Sequence, residues 1–201
     1  MTLPPIEFYF DFSSPYGYLA SHRIDHIAER HQRRVAWRPL LLIMVFKATG
    51  GAPISSSKPK WDYAKRDLAR AARLHNIPFT LSEPFPFSGT AATRAFYWIE
   101  RDHPAAAHRF AKAAFDAAFS GGRDVASIDG VVEVARPIGV DVDQLRAALG
   151  DPEVKQKARA ETEAALAKGV CGSPFFLVDG EPFWGNDRLL EVDSWLSGGG
   201  W

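Results

Sequence analysis

The strand-forming segments of this chain are confined to its two ends. Near the start, Ile6-Glu7-Phe8-Tyr9-Phe10 and Val35-Ala36-Trp37-Arg38-Pro39-Leu40-Leu41 are rich in aromatic and β-branched residues and read as strands. Strand patterns return only at Phe175-Phe176-Leu177-Val178 and Glu181-Pro182-Phe183-Trp184, joined by the hairpin dipeptide Asp179-Gly180. Between them the spacing of apolar residues gives roughly a hundred residues of helix. Any sheet must therefore bring the two ends together and leave the helical block outside it.

The first strand stops at Asp11-Phe12-Ser13-Ser14, and Pro15 suits the first turn of a helix, where a missing N–H is harmless. Leu19, Ile24, Ile27 and Ala28 fall near helical spacing and predict one helix over 15–30. That helix makes a right-handed crossover to a parallel second strand. Residues 47–60 carry Gly, Pro and Ser and read as a long loop. Helices follow at 61–76, 90–103, 104–120, 127–138, 141–150 and 151–168, with a Pro-broken extended stretch at 77–87. After the hairpin, 185–188 open a last helix through Trp195, and 198–201 read as a frayed tail. The order is βαβ, helical block, ββα, with no internal repeat. Without the block, the βαβ–ββα core of a thioredoxin fold remains. The predicted fold is α/β: a thioredoxin-like domain from 1–50 and 169–201, with a helical domain inserted over 51–168.

Lys plus Arg and Asp plus Glu balance at 24 each in 201 residues, so no basic field favours nucleic acid or an anionic membrane. The longest apolar run, 40–46, is too short to span a bilayer. The N-terminus has no charged and apolar leader pattern, which predicts a cytoplasmic protein. A single cysteine, Cys171, forbids an intrachain disulfide and fits a reducing compartment.

In a thioredoxin-type domain the turn after the first strand carries Cys-x-x-Cys. Here the four residues are Ser14-Pro15-Tyr16-Gly17, without sulfur. Ser14 reads as a helix N-cap. It has no base partner at useful spacing and no Gly-x-Ser-x-Gly elbow, so its hydroxyl suits a hydrogen bond to a bound anion better than acyl transfer. Were that anion a thiolate, the sulfur would have to come from a cofactor. Ser173-Pro174 stands where such a core places a cis-proline, which would turn the Ser173 backbone outward to pair with an extended peptide. Asn186 and Asp187 open the last helix. They read either as a cap with a dipole-favoured acid, or as a site where Asp187 holds an ammonium and nearby N–H groups a carboxylate. Both groups meet in an α-amino acid such as the γ-glutamyl end of glutathione. Lys60 is either a solvated lysine or the partner of a second carboxylate. Cys171, three residues before Pro174, reads as a small buried residue rather than a nucleophile. Trp37, Trp61, Phe85, Phe87, Phe183 and Trp184 are core candidates, one or two of which could line an apolar pocket. His22 and His26, four apart, have no acidic or sulfur ligands beside them and read as surface residues.

Phe10-Asp11-Phe12-Ser13-Ser14-Pro15-Tyr16, Gly172-Ser173-Pro174-Phe175-Phe176 and Phe183-Trp184-Gly185-Asn186-Asp187-Arg188-Leu189 resemble the 2-hydroxychromene-2-carboxylate isomerases. Residues 60–68 and 163–170 carry the resemblance through the insertion. These enzymes group with kappa-class glutathione transferases and, more distantly, with DsbA-type oxidoreductases. The resemblance implies a homodimer with glutathione as cofactor and a small aromatic substrate. It places Ser14 at the glutathione sulfur, Ser173 and Pro174 at the cysteinyl backbone, Asn186 and Asp187 at the γ-glutamyl group, and Lys60 at the glycyl end or a nearby carboxylate. It implies interconversion of 2-hydroxychromene-2-carboxylate and trans-o-hydroxybenzylidenepyruvate by reversible addition of the thiolate. Gly50, Gly51 and Ala52 stand where relatives often have an asparagine. A kappa-type transferase and a non-catalytic peptide-binding module of the same fold are the competing readings; the missing Cys-x-x-Cys argues against a dithiol oxidoreductase.

Overall fold

The computed structural model describes residues 3–81 and 83–201. Met1 and Thr2, within the stretch read for a leader, and Ser82, in the Pro-broken segment, lie outside them. Four strands, β1 (Ile6–Phe10), β2 (Val35–Pro39), β3 (Phe175–Val178) and β4 (Glu181–Trp184), form one sheet in the order β2-β1-β3-β4. β1 runs parallel to β2 and antiparallel to β3, and β3 pairs antiparallel with β4. The two ends of the chain thus meet at the centre of the sheet, as strands at the termini alone require. Asp179 and Gly180 both take positive φ, the geometry of a two-residue hairpin.

Ten α-helices are present among the described residues: α1 (Pro15–Ser21), α2 (Ile24–Arg30), α3 (Leu42–Thr49), α4 (Lys58–Leu74), α5 (Thr90–Asp102), α6 (Pro104–Phe119), α7 (Ile128–Ala135), α8 (Val142–Ala148), α9 (Pro152–Ala167) and α10 (Leu189–Gly198). α4 to α9 lie between β2 and β3, so the fold is a DsbA-like thioredoxin fold with a helical insertion. Local chemistry starts several helices. Pro104 and Pro152 sit in first turns, while Ser127, Asp141 and Asp151 accept first-turn N–H bonds.

The insertion shares a core with the sheet. Phe8 stacks on Phe176 at 5.3 Å, Phe10 lies 5.2 Å from Phe115 of α6, and Phe12 lies 6.1 Å from Phe110. All six rings are buried.

Three local expectations need correction. The helix predicted over 15–30 breaks at His22-Arg23 into α1 and α2, with Arg23 at φ −117°. The loop predicted over 47–60 is shorter. α3 ends inside its start, Ile54–Ser56 form a 3-10 turn, and α4 begins at Lys58. The tail predicted to fray over 198–201 is held: Gly199 and Gly200 donate to the Trp195 carbonyl at 3.0 and 3.2 Å, and Trp201 packs edge-on to Trp195.

Candidate functional site

The end of β1, the start of α1, the turn before β3 and the turn after β4 meet at one edge of the sheet. They form the floor of a cleft of about 1100 Å³, walled by α3 and α4. The volume lies just above the usual range of small-ligand sites, about 300 to 1000 Å³.

Ser14 sits on this floor, 5% exposed. Its hydroxyl accepts from the Gly17 N–H at 3.0 Å, as an N-cap should, and donates to the Ser173 carbonyl at 3.1 Å. The second bond crosses 159 residues of chain. The Ser173–Pro174 peptide is cis. The Ser173 hydroxyl accepts from the Asp11 N–H at 2.9 Å, which fixes the turn before β3 against the end of β1.

Asp11 was not singled out by its sequence context, yet it organises the floor. It is 4% exposed. One carboxylate oxygen accepts from the Ser13 N–H and hydroxyl, both at 2.7 Å, and the other from the Leu42 N–H at 2.8 Å. The carboxylate thus caps α3 and clamps the turn leading into α1. Burial pushes its pKa up, against the opposing pull of these three bonds.

After β4, Gly185 takes φ 121° and ψ 152°, a conformation open to glycine alone. It turns the chain so that Asn186 is buried and Asp187 lines the cleft with its side chain 72% exposed. The Asp187 carboxylate pairs with Arg188 at 3.0 Å. Arg23, at the break between α1 and α2, donates to the backbone oxygen and side-chain oxygen of Asn186 at 3.3 and 3.4 Å.

α4 supplies the opposite wall. The Tyr16 hydroxyl donates to Asp67 at 2.9 Å, and Arg70 donates to the other Asp67 oxygen at 2.5 Å. Burial and then the Asp67 carboxylate push the Tyr16 phenol above its usual range. His75, which caps the end of α4, is pulled down by burial and by the Arg23 charge.

Of the residues expected at the site, Ser14, Ser173, Pro174, Asn186 and Asp187 come together around the cleft floor. Lys60 does not line the cleft. It is exposed in the first turn of α4, one turn before Tyr63 on the helix stripe that continues through Asp67, Arg70 and Leu74, all of which do line it. Ala52, Pro53 and Ile54 lie at the mouth, so the segment lacking the asparagine is apolar there. Phe85, Phe87 and Trp184 are the cleft-lining aromatics among those considered, and Trp61 stacks on Phe85 at 4.9 Å. Cys171 lines the cleft, but burial pushes its thiol up, which leaves it a poor nucleophile.

A hydroxyl, a strand-edge carbonyl, an exposed carboxylate and a half-buried guanidinium thus surround one floor, and none of the four brings sulfur. The set fits an extended, zwitterionic thiol peptide: an acceptor for an ammonium, a cation for a carboxylate, a carbonyl for a peptide N–H and a hydroxyl for the thiol.

Residues 5–197 match the DSBA-like thioredoxin domain family. The chain is 31% identical to a 2-hydroxychromene-2-carboxylate isomerase of Sphingobium xenophagum, over 95% of this chain and 97% of that one. It is 30% identical to the enzyme of the same name from Pseudomonas putida, over 94% and 92%. A solved 2-hydroxychromene-2-carboxylate isomerase superposes with a TM-score of 0.88 at 28% identity, covering 96% of this chain and 95% of that one. Glutathione S-transferase kappa 1 of Rattus norvegicus is 24% identical over 98% and 92%. This chain is therefore a DSBA-like thioredoxin-domain protein of the 2-hydroxychromene-2-carboxylate isomerase family.

Proposed function

We propose that this protein is a glutathione-dependent isomerase that interconverts 2-hydroxychromene-2-carboxylate and trans-o-hydroxybenzylidenepyruvate. The observation that carries the reading is the Ser14 hydroxyl, set between the Gly17 N–H and the Ser173 carbonyl on the floor of the cleft, in a turn without sulfur.

Bound glutathione would supply the thiolate that adds to the unsaturated carbon of the substrate and leaves it again. The rest is the work of this chain. Ser14 already holds one donor, the Gly17 N–H, on its oxygen, so its own proton is free to turn from the Ser173 carbonyl to an anionic sulfur. The Ser173 carbonyl is then open to a peptide N–H. Asp187 offers a carboxylate to the ammonium of the γ-glutamyl group, and buried Asn186, bonded by Arg23, precedes it in the turn. Lys60 would reach a second carboxylate only from the mouth. Leu42, Phe46, Ile54, Phe85 and Phe87 give an aromatic acid an apolar wall. Holding both molecules in one cleft contributes by proximity, and Ser14 by stabilising charge on sulfur.

The kappa-class relatives favour a second reading, glutathione conjugation at the same floor. One assay separates the two. The purified protein is given hydroxychromene carboxylate with and without glutathione, and the products are followed by absorbance and chromatography. Interconversion that needs glutathione yet returns it unconsumed supports isomerisation. Consumption of glutathione with a stable conjugate supports transfer. No change in the aromatic acid in the presence of glutathione overturns the isomerase reading.

A further inference from the structure

Arg23 is a half-buried guanidinium in the cleft wall with no acidic partner among the described residues. Among the described residues its side chain makes two long hydrogen bonds, both to Asn186 and both from the same Nη1. Burial lowers its pKa. Arg33 shows what a buried arginine does elsewhere in this fold: it forms a two-pronged pair with Asp179 at 2.7 and 3.0 Å. A desolvated cation without such a partner is costly unless a ligand supplies the anion. His75 also lines the cleft and is kept towards its neutral form by burial and then by the Arg23 charge, so it adds a hydrogen-bonding edge rather than a competing acid.

The position of Arg23 names the ligand group. It touches Asn186, and the next residue, Asp187, presents a carboxylate to the same cleft. A cation held on Asn186 and the carboxylate of the following residue, whose present partner is the exposed Arg188, offer one partner for each charge of an α-amino acid.

We propose that Arg23 is the specificity residue for the α-carboxylate of the peptide ligand, leaving Asp187 for its ammonium. The assignment rests on the glutathione reading. It adds a side-chain partner where the sequence suggested backbone N–H groups alone, and it makes the site select against thiol peptides whose first residue lacks that carboxylate.

The test is calorimetric. Glutathione and 4-aminobutyryl-cysteinylglycine, which differ only by that carboxylate, are titrated into wild type, Arg23→Gln and Arg23→Lys, with melting temperatures measured alongside. Wild type should prefer glutathione by roughly tenfold to a hundredfold, the range of one charge-assisted bond. Arg23→Gln should bind both peptides alike, near the wild-type affinity for the analogue, and Arg23→Lys should keep part of the preference. Equal affinity of wild type for the two peptides overturns the proposal. So does a folded Arg23→Gln that keeps the preference, or that weakens both peptides by the same factor, since Arg23 would then act only through Asn186. Wild type that binds neither peptide overturns the glutathione reading itself, and the assignment with it.

Discussion

One methyl group added at Gly89 should disable the floor of the cleft. Gly89 precedes α5 with φ −78° and ψ 2°, angles that alanine adopts freely, so a Gly89→Ala substitution probes space rather than backbone freedom. A Cβ there would stand 2.3 Å from the Asp11 carboxylate oxygen and 3.1 Å from the Phe12 nitrogen. An unstrained contact needs about 1 Å more. The oxygen that must move is the one that accepts both Ser13 bonds at 2.7 Å, and its partner on the carboxylate holds the Leu42 N–H. The side chain is buried and cannot swing into solvent. Overpacking costs typically about 1 to 3 kcal/mol, and losing one or two bonds to a buried carboxylate adds a comparable amount, so the substitution should cost about 2 to 6 kcal/mol. For a chain of this size that lowers the melting temperature by about 5 to 20 °C. Calorimetric melting or urea denaturation measures it. Gly198→Ala, at the end of α10 with open space around it, is the control and should melt at or slightly above wild type. Since Asp11 also holds Ser173 through its N–H, glutathione binding should weaken in Gly89→Ala and stay unchanged in Gly198→Ala. A Gly89→Ala protein that melts with wild type and binds glutathione as wild type does would refute the role given to Asp11.

Other substitutions test other parts. Burial works against ionisation of Asp25, but hydrogen bonds from His108 and Lys112 outweigh it and hold its pKa down at about 2. Its contribution is present above the unfolded value near 3.8 and is lost as pH falls towards 2; Asp25→Asn should cost about 1 to 2 kcal/mol at neutral pH and flatten the stability profile across that window. Asp179→Asn leaves Arg33 buried without its ion pair while keeping a residue that tolerates positive φ; it should cost about 2 to 4 kcal/mol by urea denaturation. Cys171, with its thiol pushed up by burial, should alkylate more slowly than an unstructured cysteine at neutral pH, and Cys171→Ala should retain most of the isomerase activity.

What could be read in the sequence was local. Ser14-Pro15, Ser173-Pro174, Asp179-Gly180 and Gly185-Asn186-Asp187 carry their turn chemistry in adjacent residues, and they fix the positions at which the strands enter and leave the site. The residues that were missed act across long stretches of chain. α3 carries no N-cap of its own: Leu41 offers no side-chain bond, and the Leu42 N–H is satisfied by Asp11, 31 residues earlier. The run 40–46 reads only as an apolar stretch, so nothing local announces α3. The break at His22-Arg23 has no glycine or proline to announce it, so the spacing predicts one helix running through Arg23. Tyr16 and Asp67 pair across 51 residues, and nothing near either of them predicts the other. Trp201 was read as fraying because three glycines precede it, yet Gly199 and Gly200 take left-handed angles that close the end of α10 and bring the indole back onto Trp195.

The central claim is that Ser14 stabilises a thiolate that the chain itself does not carry. Titrating the thiol of bound glutathione by its ultraviolet thiolate absorbance, in wild type and Ser14→Ala, tests it most directly. The thiol should ionise at least about one pH unit below free glutathione in wild type and return most of the way towards the free value in Ser14→Ala. A bound thiol that titrates like the free peptide, or one that Ser14→Ala leaves unmoved, would contradict it.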